Sequence, residues 1–96
     1  MDSDSPMEDE ARLLALLANE KRLLIACHLL RGECSVSDLA EKVGLSQSAV
    51  SQHLAIFRAA KIVTTRRDAQ TIYYSTSDYG IRRLLEAVKL TFVQPA

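Results

Sequence analysis

The three-residue turn Gly44-Leu45-Ser46, which separates two stretches of helical periodicity, constrains the fold of this chain more than any other feature. Before it, apolar residues at positions 39, 40 and 43 share one helical face, and Gly44 is typical of the left-handed residue that ends a helix. After it, Ser46 is a favourable N-cap, and apolar residues at positions 50, 54 and 57 recur with helical spacing in a helix that runs to about Ala59. A short capped helix, a tight turn and a longer capped helix predict a helix-turn-helix.

Helical periodicity also flanks this motif on both sides. Residues 13–18 are apolar in succession, which predicts a first helix that is buried from two directions. Asn19 as an N-cap and Gly32 as an end bracket a second helix, and Ser35 with Asp38 forms a capping-box variant that begins the third. A last helix over about residues 78–93 carries a periodic apolar stripe, which consists of Ile81, Leu84, Leu85, Val88 and Phe92.

The period changes from 3.6 to 2 after Lys61. Residues 62–67 and 71–75 are rich in β-branched and aromatic side chains, and residues 68–70 separate them. This pattern predicts a β-hairpin directly after the helix-turn-helix. The predicted fold class is therefore mainly α with a small β-hairpin, a winged helix-turn-helix of four helices, two strands and a fifth helix.

The length of 96 residues, with 48% hydrophobic and 25% charged residues, suits one globular domain. Residues 1–9 are predicted to be an acidic disordered tail, and residues 10–94 the domain. The apolar runs are far shorter than the roughly 18 residues that cross a bilayer, so no membrane partner is expected. The first ten residues contain no Lys or Arg, unlike a secretory signal, and a cytoplasmic location is the default expectation.

The formal net charge of zero hides an uneven distribution. Without the five acidic residues among the first ten, the chain has 7 acidic and 12 basic residues, a net charge of +5. The stretch from Lys42 to Arg67 contains five Lys or Arg and no Asp or Glu. Charge alone allows two interpretations, a solvated charged face or a surface for a phosphate backbone.

The fourth predicted helix presents small and amide side chains on the side opposite its apolar stripe. Ser48, Gln52 and Ala55 point outward, and Gln47, Ser51 and Ile56 flank them. Short side chains let a helix approach base edges in a major groove, where Gln pairs with adenine and Ser donates or accepts. Because this helix contains no acidic residue, base or phosphate contact is favoured, with Ser46, Arg58 and Lys61 placed to hold phosphates.

Four segments of the chain resemble the ArsR/SmtB family of winged-helix repressors, and most of all its metal-independent branch: residues 17–25, 35–40, 45–54 and 65–74. The resemblance implies a recognition helix that starts at Ser46, a wing tip near Arg67 to Gln70, and a homodimer built from helices at about residues 10–18 and 78–93. The candidate DNA-binding residues are Ser46, Gln47, Ser48, Ser51, Gln52, His53, Arg58, Arg66, Arg67 and Gln70. The candidate dimer-interface residues are Leu13, Leu14, Leu17, Ile81, Leu84, Leu85, Val88 and Phe92.

The resemblance also implies the absence of a metal site. Metal-sensing members carry Cys-Val-Cys where this chain has Ser35-Val36-Ser37, and residues 78–93 contain no His for the other family site. His53 is therefore expected to pack through a hydrogen bond or to contact a phosphate rather than to bind a metal. No cofactor is expected, and no small-molecule effector is evident.

Two alternatives keep the scaffold but change the activity. Cys34, with Cys27, would make the protein a thiol sensor that releases DNA on oxidation, whereas the bland interpretation is two structural cysteines. A winged helix that only binds other proteins is the second alternative, and the acid-free recognition helix argues against it. Catalysis is disfavoured because the three glycines stand apart and form no phosphate-binding loop.

Overall fold

The computed structural model describes residues 7–92, with the side chains of residues 7–89. It confirms a mainly helical winged helix-turn-helix. The elements are α1 (Glu8–Leu17), α2 (Glu20–Arg31), β1 (Cys34–Ser35), α3 (Val36–Val43), α4 (Gln47–Ala59), β2 (Thr64–Asp68), β3 (Thr71–Ser75) and α5 (Tyr79–Phe92). Most of the predicted acidic tail lies outside the described residues, but residues 8 and 9 are helical. Acidic side chains in a first turn favour helix formation because they interact with the positive end of the helix dipole.

Polar side chains cap the helices where the sequence places them. The side chain of Asn19 accepts a hydrogen bond from the backbone N–H of Arg22 at 3.0 Å. Ser35 and Ser46 accept in the same way from the third residue after each, at 3.1 Å in both cases. Gly44 has a φ of 72°, the left-handed conformation that ends α3. These bonds confirm the predicted starts of α2, α3 and α4.

The sheet contains one strand that sequence analysis misses. Its order is β1-β3-β2, all antiparallel, and β1 pairs Cys34 with Tyr74. Two residues are too short for a period-2 pattern, so no local signal marks this strand. The hairpin also begins at Thr64 rather than at residue 62, because Lys61 adopts a positive φ of 61° and turns the chain there.

The helix-turn-helix packs against the remaining helices through a shared hydrophobic core. Val50, Leu54 and Phe57 of α4 are each at most 1% exposed, and they pack in one cluster with Ile25 of α2 and Ile81 of α5. One face of α4 is therefore held inward, which leaves the opposite face to solvent. In the described part of the chain, no helix has the length and apolar character needed to span a bilayer.

Candidate nucleic-acid interface

The outward face of α4 is exposed as predicted. Gln47, Ser48, Ser51 and Gln52 are all exposed, as are Ala55 and Ile56 in the next turn. Ser46 is exposed too, and its hydroxyl oxygen caps the helix. The surface around the first two turns of α4 is thus small, uncharged and rich in hydrogen-bonding groups, which suits approach to base edges.

His53 is half-buried at the side of α4 and is held by α2. Its Nδ1 accepts a hydrogen bond from Nε of Arg22 at 3.3 Å, and Arg22 also donates through Nη1 to the carbonyl of Leu16 at 2.9 Å. Since a guanidinium only donates, His53 is neutral in this arrangement and carries its proton on Nε2. Burial, and then the charge of Arg22, lower the pKa of His53. Of the two predicted roles of His53, the structure shows the hydrogen bond to a neighbouring residue. Its partner, Arg22, was not predicted from the sequence.

The wing contains two arginines with different surroundings. Arg66 donates to both carboxylate oxygens of Glu33, from Nε at 3.1 Å and from Nη2 at 2.5 Å, and its guanidinium lies 4.9 Å from the ring centre of Tyr73. The hydrogen bond from Arg66 lowers the pKa of Glu33. Arg67, like Gln70 in the hairpin turn, is exposed, and it forms no ion pair within the described chain. The structure therefore ties Arg66 to its own protomer and leaves Arg67 available.

The other cations between Lys42 and Arg67 also differ in whether a neighbouring group already binds them. Nζ of Lys42 lies 3.6 Å from Sγ of Cys34. Arg58 and Lys61, at the end of α4, are exposed and take part in no ion pair among residues 7–89. Arg58 at the end of α4, Lys61 just after it and Arg67 on the wing thus remain without an ion-pair partner in the described part of the chain, and we call these three residues the phosphate cluster.

The two cysteines have structural surroundings. Both are free thiols; Cys34 is 3% exposed in β1 and Cys27 is half-buried in α2. The thiol of Cys34 lies 3.8 Å from the carbonyl of Gly32, to which it donates. A buried thiol is shielded from oxidants, so the thiol-sensor alternative is not favoured. Across the described residues, no group of three or more His, Cys, Asp or Glu is arranged to hold a metal ion.

The predicted dimer-interface residues fall into two groups. Leu17, Ile81 and Leu85 are at most 6% exposed inside the protomer, so they belong to its core rather than to a free surface. Leu13 and Leu84 are half-buried, and Leu14 and Val88 are 53% and 38% exposed. The side chain of Phe92 lies outside the described residues. A groove of about 370 Å³ between α1 and α5 is lined mainly by Leu13, Leu14 and Leu84.

The helix-turn-helix, the acid-free outward face of α4 and the hairpin beside it define a winged helix-turn-helix DNA-binding protein. The family model for bacterial regulatory proteins of the arsR family matches residues 19–65. The nodulation protein NolR of Rhizobium meliloti is 54% identical over 81 residues, which cover 84% of this chain and 66% of NolR. The transcriptional activator HlyU of Vibrio cholerae is 44% identical over 85% of this chain and 76% of HlyU.

A solved structure gives the same result for the fold. The crystal structure of NolR from Sinorhizobium fredii superposes with a TM-score of 0.85 at 48% identity, covering 96% of this chain and 97% of NolR. The chain belongs to the ArsR family of bacterial regulatory proteins. It is a DNA-binding transcriptional regulator. Its relatives NolR and HlyU belong to the metal-independent branch of the family.

Proposed function

We propose that this protein binds a pseudo-palindromic operator as a homodimer and represses transcription from it. The observation that carries this proposal is the division of α4 into a fully buried apolar face and an exposed face of small polar residues without any acid. A helix face that only meets solvent is usually stabilised by Glu and Lys side chains spaced four residues apart. The short polar side chains of α4 instead suit contact with base edges in a major groove. Gln47, Ser48, Ser51 and Gln52 read base edges, and Gln52 pairs with an adenine.

The phosphate cluster supplies the sequence-independent part of the affinity. Each cation that neutralises a phosphate releases counterions, which makes the affinity depend on salt. Arg58 and Lys61 hold the backbone beside α4, and Arg67 with Gln70 holds it at the wing. Arg66 is the further predicted contact on the wing, and we expect it to contribute less than Arg67 while it is paired with Glu33.

Exposed leucine and valine side chains on α1 and α5 support the homodimer. Leu14 is 53% exposed and lines the groove between the two helices, and Val88 on α5 is 38% exposed. Apolar surface of this kind on a small regulator is stabilised when a second copy covers it. A two-fold axis here presents two α4 helices to successive major grooves, about 34 Å apart on one side of the duplex.

Repression follows from occupancy, since a dimer bound across a promoter blocks access of the polymerase. The relative HlyU is a transcriptional activator, and a bound dimer also raises transcription where it displaces another regulator. Purified polymerase with no other regulator present distinguishes the two: we expect transcription to fall on adding this protein. The protein acts without a metal or other cofactor, and in the cytoplasm, where bacterial DNA lies.

Selection of DNA from a random pool with the reduced, metal-free protein tests the proposal. We expect enrichment of a two-fold symmetric site whose half-sites lie about 10 to 11 base pairs apart. The binding constant should fall linearly with salt on a log-log plot. An asymmetric enriched site would contradict the dimer, and a pool with no enriched sequence would contradict specific DNA binding.

A further inference from the structure

The exposed stripe of α4 changes character along the helix. Ser48 and Gln52 are polar, but Ala55 and Ile56, one turn later, are apolar and still exposed. Ile56 keeps 40% of its area exposed. Six large apolar side chains among residues 7–89 are exposed, and Ile56 is the one on α4; the six are Met7, Leu14, Leu24, Ile56, Tyr79 and Val88.

The surroundings of Ile56 indicate what covers it. The residue lies one turn beyond Gln52 on the same face, so the apolar patch continues the polar surface that reads DNA. Arg58 of the phosphate cluster follows two residues later on the same helix and is exposed, and α4 contains no acidic residue. The patch therefore suits a partner that is apolar at its centre and negatively charged at its edges.

Duplex DNA offers one such feature. In the major groove, thymine is the base whose edge carries an apolar group, the C5-methyl, and phosphates line both sides of the groove. Small or branched apolar side chains contact this methyl group directly.

We propose that Ile56, with Ala55 beside it, recognises the C5-methyl group of a thymine in each half-site. This inference rests on the proposed function. Residues four apart on a helix are separated by about 6 Å along its axis, and successive base pairs by about 3.4 Å. The thymine read by Ile56 thus lies about two base pairs from the base read by Gln52.

Replacement of thymine by deoxyuridine tests the proposal because it removes only the methyl group. Each thymine of the selected site is replaced in turn, and the dissociation constant is measured at one salt concentration. We expect a loss of about fourfold per half-site at one position, the value for about 0.8 kcal/mol of a buried methyl-sized group. Replacement at other thymines should change the affinity less than twofold.

The variant Ile56→Ala identifies the protein partner of that methyl group. It should bind the thymine duplex about fourfold more weakly per half-site and lose its sensitivity to deoxyuridine at that position. Leu24→Ala is the matched control, since Leu24 is 37% exposed but lies on α2. It should retain both the affinity and the sensitivity. Thermal unfolding of each variant verifies that the fold is kept.

Two results would overturn the inference while leaving the proposed function intact. One is an affinity for the selected site that no deoxyuridine replacement changes by more than twofold. The other is an Ile56→Ala protein that stays as sensitive to deoxyuridine as the wild type, which would assign the patch to another partner. A wild-type protein that binds no duplex at all would overturn the proposed function and this inference with it.

Discussion

Neighbouring arginines of the wing differ because a β-strand alternates its side chains. Arg66 lies opposite Tyr73 in the β2–β3 register, on the face that also meets Glu33, whereas Arg67 lies opposite Ile72 on the other face. A basic stretch in a sequence shows how much charge is available. Which of its members are already paired depends on the residues that the fold brings beside them, here Glu33 from a distant part of the chain.

Glu33→Gln is expected to release Arg66 for DNA. The salt slope of binding should steepen by about one unit, since one more phosphate is neutralised, and Arg67→Ala should flatten it by about one. Filter binding or fluorescence anisotropy over a range of salt concentrations measures the slope. Glu41→Gln removes the same charge from an exposed site that is not paired with Arg66, and it should leave the slope near the wild-type value. Equal slopes for the two Glu variants would contradict the expectation that the ion pair with Glu33 keeps Arg66 from the DNA.

Gln52→Ala is expected to act on specificity. Loss of a bidentate pair costs about 1 to 3 kcal/mol of discrimination at one base position, while contacts to phosphates are kept. Affinities for the selected site and for four single-base variants at each position measure this effect. Uniform weakening on all sequences would instead assign Gln52 to the DNA backbone.

The surroundings of His53 predict that the free energy of unfolding depends on pH. Its pKa is lowered in the folded protein, so the unfolded chain binds a proton more readily. The contribution of neutral His53 to the free energy of unfolding is complete above the pKa of the unfolded chain, about 6.5. It is lost as the pH falls through the lower pKa that His53 has in the folded protein. We expect urea unfolding midpoints to fall between pH 7.5 and 5.5. His53→Gln should reduce this fall.

His28 is the internal comparison for that experiment. Burial, followed by the charges of Lys42 and Arg31, lowers its pKa as well. His28→Gln should therefore remove a second part of the pH dependence, and the two variants together should remove more than either alone. A midpoint that falls equally in wild type and both variants would show that other groups are responsible.

The caps and apolar stripes of the helices are local properties and could be predicted from sequence. Asn19, Ser35 and Ser46 cap the helices that follow them, and Gly44 takes the left-handed conformation. The strand β1 could not be predicted, because it exists only where β3 supplies its hydrogen-bond partners. The early start of the hairpin at residue 62 was wrong for a similar reason, since the turn at Lys61 separates residues 62 and 63 from the strand.

The hairpin turn contains a residue in the left-handed conformation, Ala69. Ala69 has a φ of 57°, a conformation that costs a residue with a Cβ about 1 to 2 kcal/mol. Ala69→Gly removes that cost but adds flexibility to the unfolded chain, so the free energy of unfolding should rise by about 0.5 to 1 kcal/mol. Chemical denaturation measures it. Ala60→Gly is the control, because Ala60 has a φ of −82°, and it should not stabilise the protein.

The sequence did not show which apolar residues of α1 and α5 belong to the core of the protomer and which remain exposed on its surface. The apolar run in α1 covers more than one face of that helix, and α5 adds a further apolar stripe. Only packing shows that Leu17, Ile81 and Leu85 are used inside the protomer, while Leu14 and Val88 remain exposed.

Leu14→Glu is expected to weaken the homodimer. A charge placed at a buried interface is left without a partner, whereas in the monomer the same side chain is 53% exposed and is tolerated. Sedimentation equilibrium should show a shift towards the monomer, with a parallel loss of affinity for the symmetric site. Leu24→Glu, at a position on α2 that is 37% exposed, should stay dimeric. A dimer unaffected by Leu14→Glu would place the interface elsewhere.

The helices, the hairpin and the outward surface of α4 could be predicted from local sequence patterns. Each depends on interactions within about one helical turn or one strand pair, and the polar face of α4 is opposite an apolar stripe that must be buried. Three contacts became visible only in the folded chain: Arg22 with His53, Glu33 with Arg66, and the two-residue strand β1 with β3. These contacts join residues 31, 33 and about 40 positions apart, and spacing along a chain does not reveal which distant groups meet when it folds.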